Sequence, residues 1–217
     1  MTLKDFIKNR LEEYKIHYFY YFTHIDNIEG IIENGILSRK VLEEKGNKFK
    51  DIANQSVINK GNSRSVLFSD NVERTLNKAV RLYLISKTPT FFKHKEKQGD
   101  IVFILVNSFI LLEHDTFKYC FTDGNAASDK SSYFYNLNNL ERLKWEILHS
   151  DPLRLSMNWD KETIRIRNAE FLIYPEVPIN QIWKFYVNNE NVKNEVEEKI
   201  KKAGLHLKVE INNTIFN

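Results

Sequence analysis

The sequence predicts a mixed α/β fold of the α+β kind with mainly antiparallel sheets, and two observations carry that expectation. Strand-like and helix-like stretches interleave without a regular βαβ rhythm. The 217 residues are 42% apolar and 13% aromatic, with 7 Gly, 4 Pro and no repeat or low-complexity segment, so residues 1–217 are expected to form one domain around one sizeable core.

Leu3, Phe6, Ile7 and Leu11 recur at helical spacing. Ile16 to Thr23 is aromatic and β-prone and makes a first strand. Asp26 or Asn27 can cap a short helix through Ile28, Ile31 and Ile32, and Gly35 stands where a helix end takes a left-handed residue. Lys40 to Ser65 is polar and poorly periodic, a long loop or loop-helix excursion. Val80 to Ile85 and Ile101 to Val106 read as strands on either side of the basic stretch Lys87 to Lys97. Asp123-Gly124-Asn125 marks a turn, after which Leu137 to Leu148 shows helical periodicity around Leu140, Leu143 and Ile147. Ala169 to Tyr174 is a strand entering a core and stopped by Pro175, and Gln181 to Val187 is another. Val192 to Ala203 is a charged helix ended by Gly204, and Leu205 to Ile211 alternates as a last strand.

A formal charge of +3 and a pI near 8.7 permit an acidic partner such as nucleic acid without arguing for one. Cys120 is the single cysteine, which excludes an internal disulfide or a multi-cysteine zinc site and suits a reducing, cytoplasmic location. Met1 to Leu11 lacks the apolar core of a signal peptide, and no stretch reaches the roughly 18 apolar residues of a membrane span, so no membrane association is expected.

Glu170 opens the apolar strand Ala169 to Tyr174, and an ionised carboxylate there needs a reason, since burial without a partner costs several kcal/mol. Two readings are open: an ion pair with Arg165 or Arg167 at the strand mouth, or a group that does chemistry.

Five local patterns, in order, resemble the DarT family, toxins that attach ADP-ribose from NAD to bases of single-stranded DNA. Phe22-Thr23-His24-Ile25-Asp26-Asn27-Ile28 running into Glu33-Asn34-Gly35-Ile36-Leu37 is similar to a strand-to-helix His-x-Asp-Asn segment. Thr75 to Leu84, followed by Lys87-Thr88-Pro89, resembles a second segment, and Phe121-Thr122-Asp123-Gly124-Asn125-Ala126-Ala127-Ser128 is the most specific match. Leu137 to Trp145 looks like the Leu-x-x-Leu-x-x-x-x-Trp helix that trails this loop. Asn168-Ala169-Glu170-Phe171-Leu172-Ile173 is similar to the Gln-Ala-Glu strand that presents a catalytic glutamate.

The resemblance implies an ADP-ribosyltransferase-like fold, in which two antiparallel sheets split apart and hold NAD as co-substrate, with no metal. It gives Glu170 the catalytic role: a carboxylate beside the ribose stabilises the oxocarbenium-like sugar left as nicotinamide departs, and with a raised pKa it serves as a base. Thr23, His24, Asn27 and Tyr83 become the NAD-binding set. For each of the last three a plainer role stays open: His24 as a satisfied strand-end histidine, Asn27 as a helix cap, Tyr83 as core. The family's loop arginine falls at Gly61 when Ala53 to Lys60 is aligned, so Arg64, three residues on, is the candidate to replace it, and reduced activity is the alternative.

For DNA the candidates are Lys87, Asn125, Arg165 and Arg167; the basic and aromatic residues Arg81, Lys87, Phe91, Phe92, Lys93 and Lys95 form either a stacking and phosphate-binding rim or a solvated charged loop, and Asn125 either reads a base edge or closes an Asp-Gly-Asn turn. The expected partners are single-stranded DNA and a macrodomain antitoxin of the DarG kind, with a monomeric toxin. Thymine is the first expectation for the base. The alternatives are guanine, RNA, or a non-catalytic NAD- or nucleic-acid-binding module on the same fold.

Overall fold

The computed structural model describes residues 1–46, 49–50, 55–94, 99–151 and 159–216. Ten strands build a sheet of eight and a hairpin of two. The large sheet contains β1 (Tyr18–His24), β4 (Val80–Tyr83), β5 (Ile101–Asn107), β6 (Lys118–Thr122), β7 (Tyr133–Phe134), β8 (Glu170–Tyr174), β9 (Ile182–Val187) and β10 (Lys208–Ile211), in the order β10-β9-β5-β1-β4-β8-β6-β7. β2 (Ser65–Leu67) and β3 (Glu73–Thr75) form the hairpin.

Seven register pairs join β1 to β5 and four join β4 to β8, yet β1 and β4 meet only at Tyr20 and Tyr83. The sheet is therefore two four-stranded halves hinged at one residue pair, and a cleft opens where β1 and β4 diverge. All pairings are antiparallel except β9 with β10.

Strand alternation assigns each face its load. Phe19, Leu82, Val102, Ile104, Phe171 and Ile173 face the main core, which helices Leu3–Glu13, Ile28–Asn34 and Glu190–Lys202 cover with Ile7, Leu11, Ile28, Val196 and Ile200. The other face carries two smaller apolar clusters. One gathers Phe22, Phe91, Phe103 and Phe216; the other gathers Val66, Phe68, Cys120 and Leu172. Glu170 and Arg81 share this face.

Most elements fall where the sequence places them, and the differences have local causes. The Leu137 to Leu148 periodicity is broken into a 3-10 helix, Leu137–Arg142, and a short helix, Trp145–Leu148, because Leu143 is extended (ψ 147°) and the Trp145 indole donates to the Leu140 carbonyl at 2.7 Å. Asn27 does not cap the helix at Ile28; His24 Nδ1 instead accepts the Asp26 N–H at 3.1 Å. Gly35 has φ 75°, and a Cβ there would lie 2.5 Å from the Val177 carbonyl oxygen, so both backbone and space require glycine. Phe91 is fully buried against Phe22 and Phe103, so it belongs to the core and not to a nucleic-acid rim. Lys95, Ala53 and Asn54 lie outside the described residues.

Asp70 and Arg74 clasp the small hairpin at 2.6 and 2.8 Å, with the guanidinium 4.2 Å above the Tyr174 ring. The Arg74 hydrogen bonds hold the Asp70 carboxyl below its ordinary range. A depressed carboxyl stabilises the fold above its unfolded pKa, near 3.9, and that contribution is lost as pH falls through the lowered folded value. Asp70→Asn is expected to cost about 1 kcal/mol at neutral pH, with the gap from native shrinking below about pH 4. Urea midpoints across pH check this, and a constant gap down to acid would refute it.

Candidate active site

The cleft between the sheet halves measures about 810 Å³. Its walls come from the β1 end (Tyr21, Phe22, Thr23, Asn27), from β4 (Val80, Arg81, Tyr83), from the segment Leu37 to Leu42, and from Asn125, Ser128, Lys161, Ile164, Arg165 and Asn168. Six cationic side chains line it, Arg39, Lys50, Arg81, Lys93, Lys161 and Arg165, and among the described lining residues no carboxylate does. Such a cavity favours a polyanionic ligand.

Among the described residues the one fully buried carboxylate is Glu170, 1% exposed at the start of β8 and joined to the cleft wall through Arg81. Arg81 grips it as a fork, Nε to Oε2 at 2.5 Å and Nη2 to Oε1 at 2.8 Å, and the Ala126 N–H donates to Oε1 at 2.9 Å. Its own backbone N–H donates to the Thr122 hydroxyl at 3.0 Å, and that hydroxyl donates to the Gly124 carbonyl at 2.5 Å. Strand β8 and the 123–128 loop are thus tied together at the acid. Burial works against the Arg81 charge, but Glu170 outweighs it and holds the guanidinium pKa above its ordinary value.

Neither Arg165 nor Arg167 pairs with Glu170. Arg165 spends its guanidinium on Glu162 at 2.7 Å, Asp123 at 2.7 Å and the Ser131 hydroxyl at 3.1 Å. It passes so close to Gly124 that a Cβ there would lie 2.4 Å from Nη1. Arg167 is 1% exposed and donates to the carbonyls of Ile147, Ser150 and Lys87 at 2.8, 3.0 and 3.1 Å, so it holds the fold together and cannot reach a nucleic acid. Lys87 contributes that carbonyl and is not among the cleft-lining residues. Asn125 does line the cleft, with its Oδ1 accepting the Ala127 N–H at 2.8 Å in a local turn.

Arg64 stands away from the cleft wall. Its Nη1 donates to the Ala126 and Ser128 carbonyls at 3.2 and 2.7 Å and to the Tyr133 hydroxyl at 3.2 Å, and Nη2 pairs with Asp129. It braces the loop that offers Glu170 the Ala126 N–H. At Gly61 a Cβ would come within 2.1 Å of Asn77 Oδ1, so the helix Gln55–Ser63 packs tightly there and a larger residue would displace Asn77, which itself lines the cleft.

On the opposite wall, Thr23 Oγ1 accepts from Asn27 Nδ2 at 2.8 Å, and Asn27 also exchanges two hydrogen bonds with the Lys50 backbone, at 2.7 and 2.9 Å. His24 is buried, with Nε2 2.7 Å from Lys50 Nζ and 3.6 Å from Asp100. Tyr83 stacks on Phe22 at 5.4 Å, and burial with the nearby Glu170 charge pushes its phenol pKa up. Thr23, Asn27 and Tyr83 line the cleft, Tyr83 at the hinge pair with Tyr20, whereas His24 is not among the lining residues.

Sequence reasoning gave Arg81 only a rim role. The available signal was a lone cation in the apolar strand Val80-Arg81-Leu82-Tyr83 to match a lone acid in Glu170-Phe171-Leu172-Ile173. Arg39, Lys50, Lys161, Thr90 and Asn168 were not singled out, because each sits in a polar segment where nothing local distinguishes it. Among the described residues, no group of three or more His, Cys, Asp or Glu side chains gathers to hold a metal.

Residues 20–217 match the family described as ssDNA thymidine ADP-ribosyltransferase, DarT. The chain belongs to the DarT family. Among DarT relatives, a DNA ADP-ribosyl transferase-DNA ADP-ribosyl glycohydrolase fusion protein of Thermosipho africanus is 30% identical over 187 residues, which cover 85% of this chain and 45% of that protein. A DNA ADP-ribosyl transferase of Escherichia coli O127:H6 is 26% identical over 195 residues, 86% of this chain and 87% of that one. The chain thus spans less than half of the fusion protein and most of the single transferase. The structure of Thermus sp. 2.9 DarT in complex with ADP-ribosylated ssDNA superposes with a TM-score of 0.81 at 21% identity, over 94% of this chain and 97% of that one. The same Thermus protein in complex with NAD+ gives 0.76 at 20% identity, over 94% and 98%. These likenesses establish the shared DarT fold.

Proposed function

We propose that this protein transfers ADP-ribose from NAD to a base of single-stranded DNA, thymine first, and releases nicotinamide. One observation carries the reading: the single buried carboxylate among the described residues, Glu170, lies behind a cleft lined by six cationic side chains. A dinucleotide brings two phosphates and a DNA strand brings more, so the exposed cations Lys93 and Lys161 offset that charge while the carboxylate faces the positive charge that develops on the ribose. Tyr83 and Phe22 offer a stacking surface for nicotinamide. Thr23 and Asn27 line the cleft and offer hydrogen-bonding groups to the nicotinamide ribose and amide, while His24, whose ring nitrogens meet the Asp26 N–H and Lys50, holds that wall in place. Arg64 acts through the loop it braces. Asn125, Lys161 and Lys93 stand on the outer rim for the strand carrying the base.

In this reading the protein is a toxin, and its damage is reversed by a macrodomain antitoxin. The Thermosipho fusion, which joins a transferase to a DNA ADP-ribosyl glycohydrolase, supports that pairing. No described helix is long and apolar enough to cross a membrane.

Incubating the protein with NAD and short oligonucleotides, each offering one base, then weighing the products, tests the proposal. A gain of one ADP-ribose on thymine-containing DNA, and not on its RNA counterpart, is expected. No gain on any strand, with NAD binding demonstrated, sinks it.

Lys93 and Lys161 are exposed, and no described residue pairs with them. Changing both to Glu is expected to weaken single-stranded DNA binding at low salt. If each lysine meets one phosphate, the slope of log affinity against log salt falls by about 1.4. An unchanged slope would remove both from the DNA path.

A further inference from the structure

We propose that Arg81 is the positioning residue for Glu170, the side chain that sets the acid's orientation and leaves it one open acceptor site. The inference rests on Glu170 being the catalytic carboxylate.

Register brings the two together. Tyr83 pairs with Glu170 and Arg81 with Leu172, so Arg81 and Glu170 project from adjacent strands on the same face, two register positions apart with the Leu82–Phe171 pair between them. Strand spacing of about 4.8 Å suits a guanidinium reaching across one ladder. Both oxygens are held: Oε1 receives Arg81 Nη2 and the Ala126 N–H, and Oε2 receives Arg81 Nε. A carboxylate has about four acceptor sites. Three are filled, and the fourth, on Oε2, is left for a ribose hydroxyl. Only the planar fork of arginine fixes both oxygens at once.

The other nearby cations are committed elsewhere, Arg64 to the 126–133 loop and Arg165 to Asp123 and Glu162. Arg81 also lines the cleft, whereas Glu170 is 1% exposed. The guanidinium spends its fork on the acid, so the acid's geometry is set before substrate arrives. With the Ala126 backbone N–H as the only remaining donor to it among the described residues, the carboxylate would rotate within the vacated space, and misplacement by about 1 Å costs about 100-fold in rate.

The test is Arg81→Ala and Arg81→Lys, assayed for ADP-ribose transfer with NAD varied, alongside Glu170→Gln. Arg81→Ala is expected to lose about 100-fold in kcat with KM for NAD nearly unchanged. Arg81→Lys, which keeps the charge but not the fork, is expected to lose about tenfold. Millimolar methylguanidinium should restore kcat in Arg81→Ala and do nothing for Glu170→Gln, a response that a merely structural arginine would not give.

The proposal is overturned by a native kcat in Arg81→Ala, by a raised KM with kcat retained, or by a folded Arg81→Ala that methylguanidinium cannot rescue. If circular dichroism shows Arg81→Ala unfolded, Arg81→Lys decides, and a native kcat there overturns the proposal. A native protein that modifies no strand, or a fully active Glu170→Gln, instead defeats the transferase reading on which this one stands.

Discussion

Glu170→Gln is expected to reduce ADP-ribose transfer about 1000-fold or more while the protein remains folded. The carboxylate's negative charge opposes the positive charge that grows on the ribose as nicotinamide leaves, and removing such a stabilising group costs about 100- to 1000-fold. Loss of base assistance to the attacking nitrogen adds a further factor of about 100. The amide keeps one acceptor oxygen but turns an NH2 toward a donor, either the Arg81 fork or the Ala126 N–H. That mismatch is expected to cost about 1–3 kcal/mol of stability, which a thermal melt separates from the loss of chemistry. Product yield by mass spectrometry at saturating NAD is the measurement. Activity within tenfold of native would mean that the cleft's chemistry lies elsewhere.

Arg167→Ala is expected to be the most destabilising of the substitutions considered, by about 3–5 kcal/mol. Its guanidinium serves three backbone carbonyls, Ile147, Ser150 and Lys87, together with the Ser150 hydroxyl, from a position 1% exposed. Truncation leaves these part-buried acceptors without their donor and opens a cavity two residues before Ala169. For a chain of this size the midpoint should fall by roughly 6–20 °C. Binding to single-stranded DNA by the fraction still folded should be unchanged, because Arg167 lies inside the protein. A folded variant with native stability and lost DNA binding would reverse this assignment.

Arg167 and Arg165 also mark where sequence reasoning reaches its limit. Both sit beside Glu170 in the chain, so local order made them the natural partners or DNA contacts. Helix Lys161–Arg167 turns Arg167 inward, onto the chain ends of neighbouring elements, and Arg165 toward Asp123 and Glu162. The true partner, Arg81, is 89 residues away in sequence. The strand-to-helix motif put Thr23 and Asn27 on the cleft wall and the His24 ring against Lys50 behind it. Of the two roles open to Asn27 in the sequence, the helix cap is absent, since its carboxamide binds Thr23 and the Lys50 backbone.

The sequence alone determined the class of fold, the order of nearly every element and the identity of the isolated acid, since apolar periodicity and a charge in an apolar strand are properties of neighbours in the chain. Tertiary structure alone decided which cation holds that acid, which arginines are spent on packing, and where the sheet opens. Those depend on strand register and on the single register pair between β1 and β4, and register is set by contacts between residues far apart in the chain.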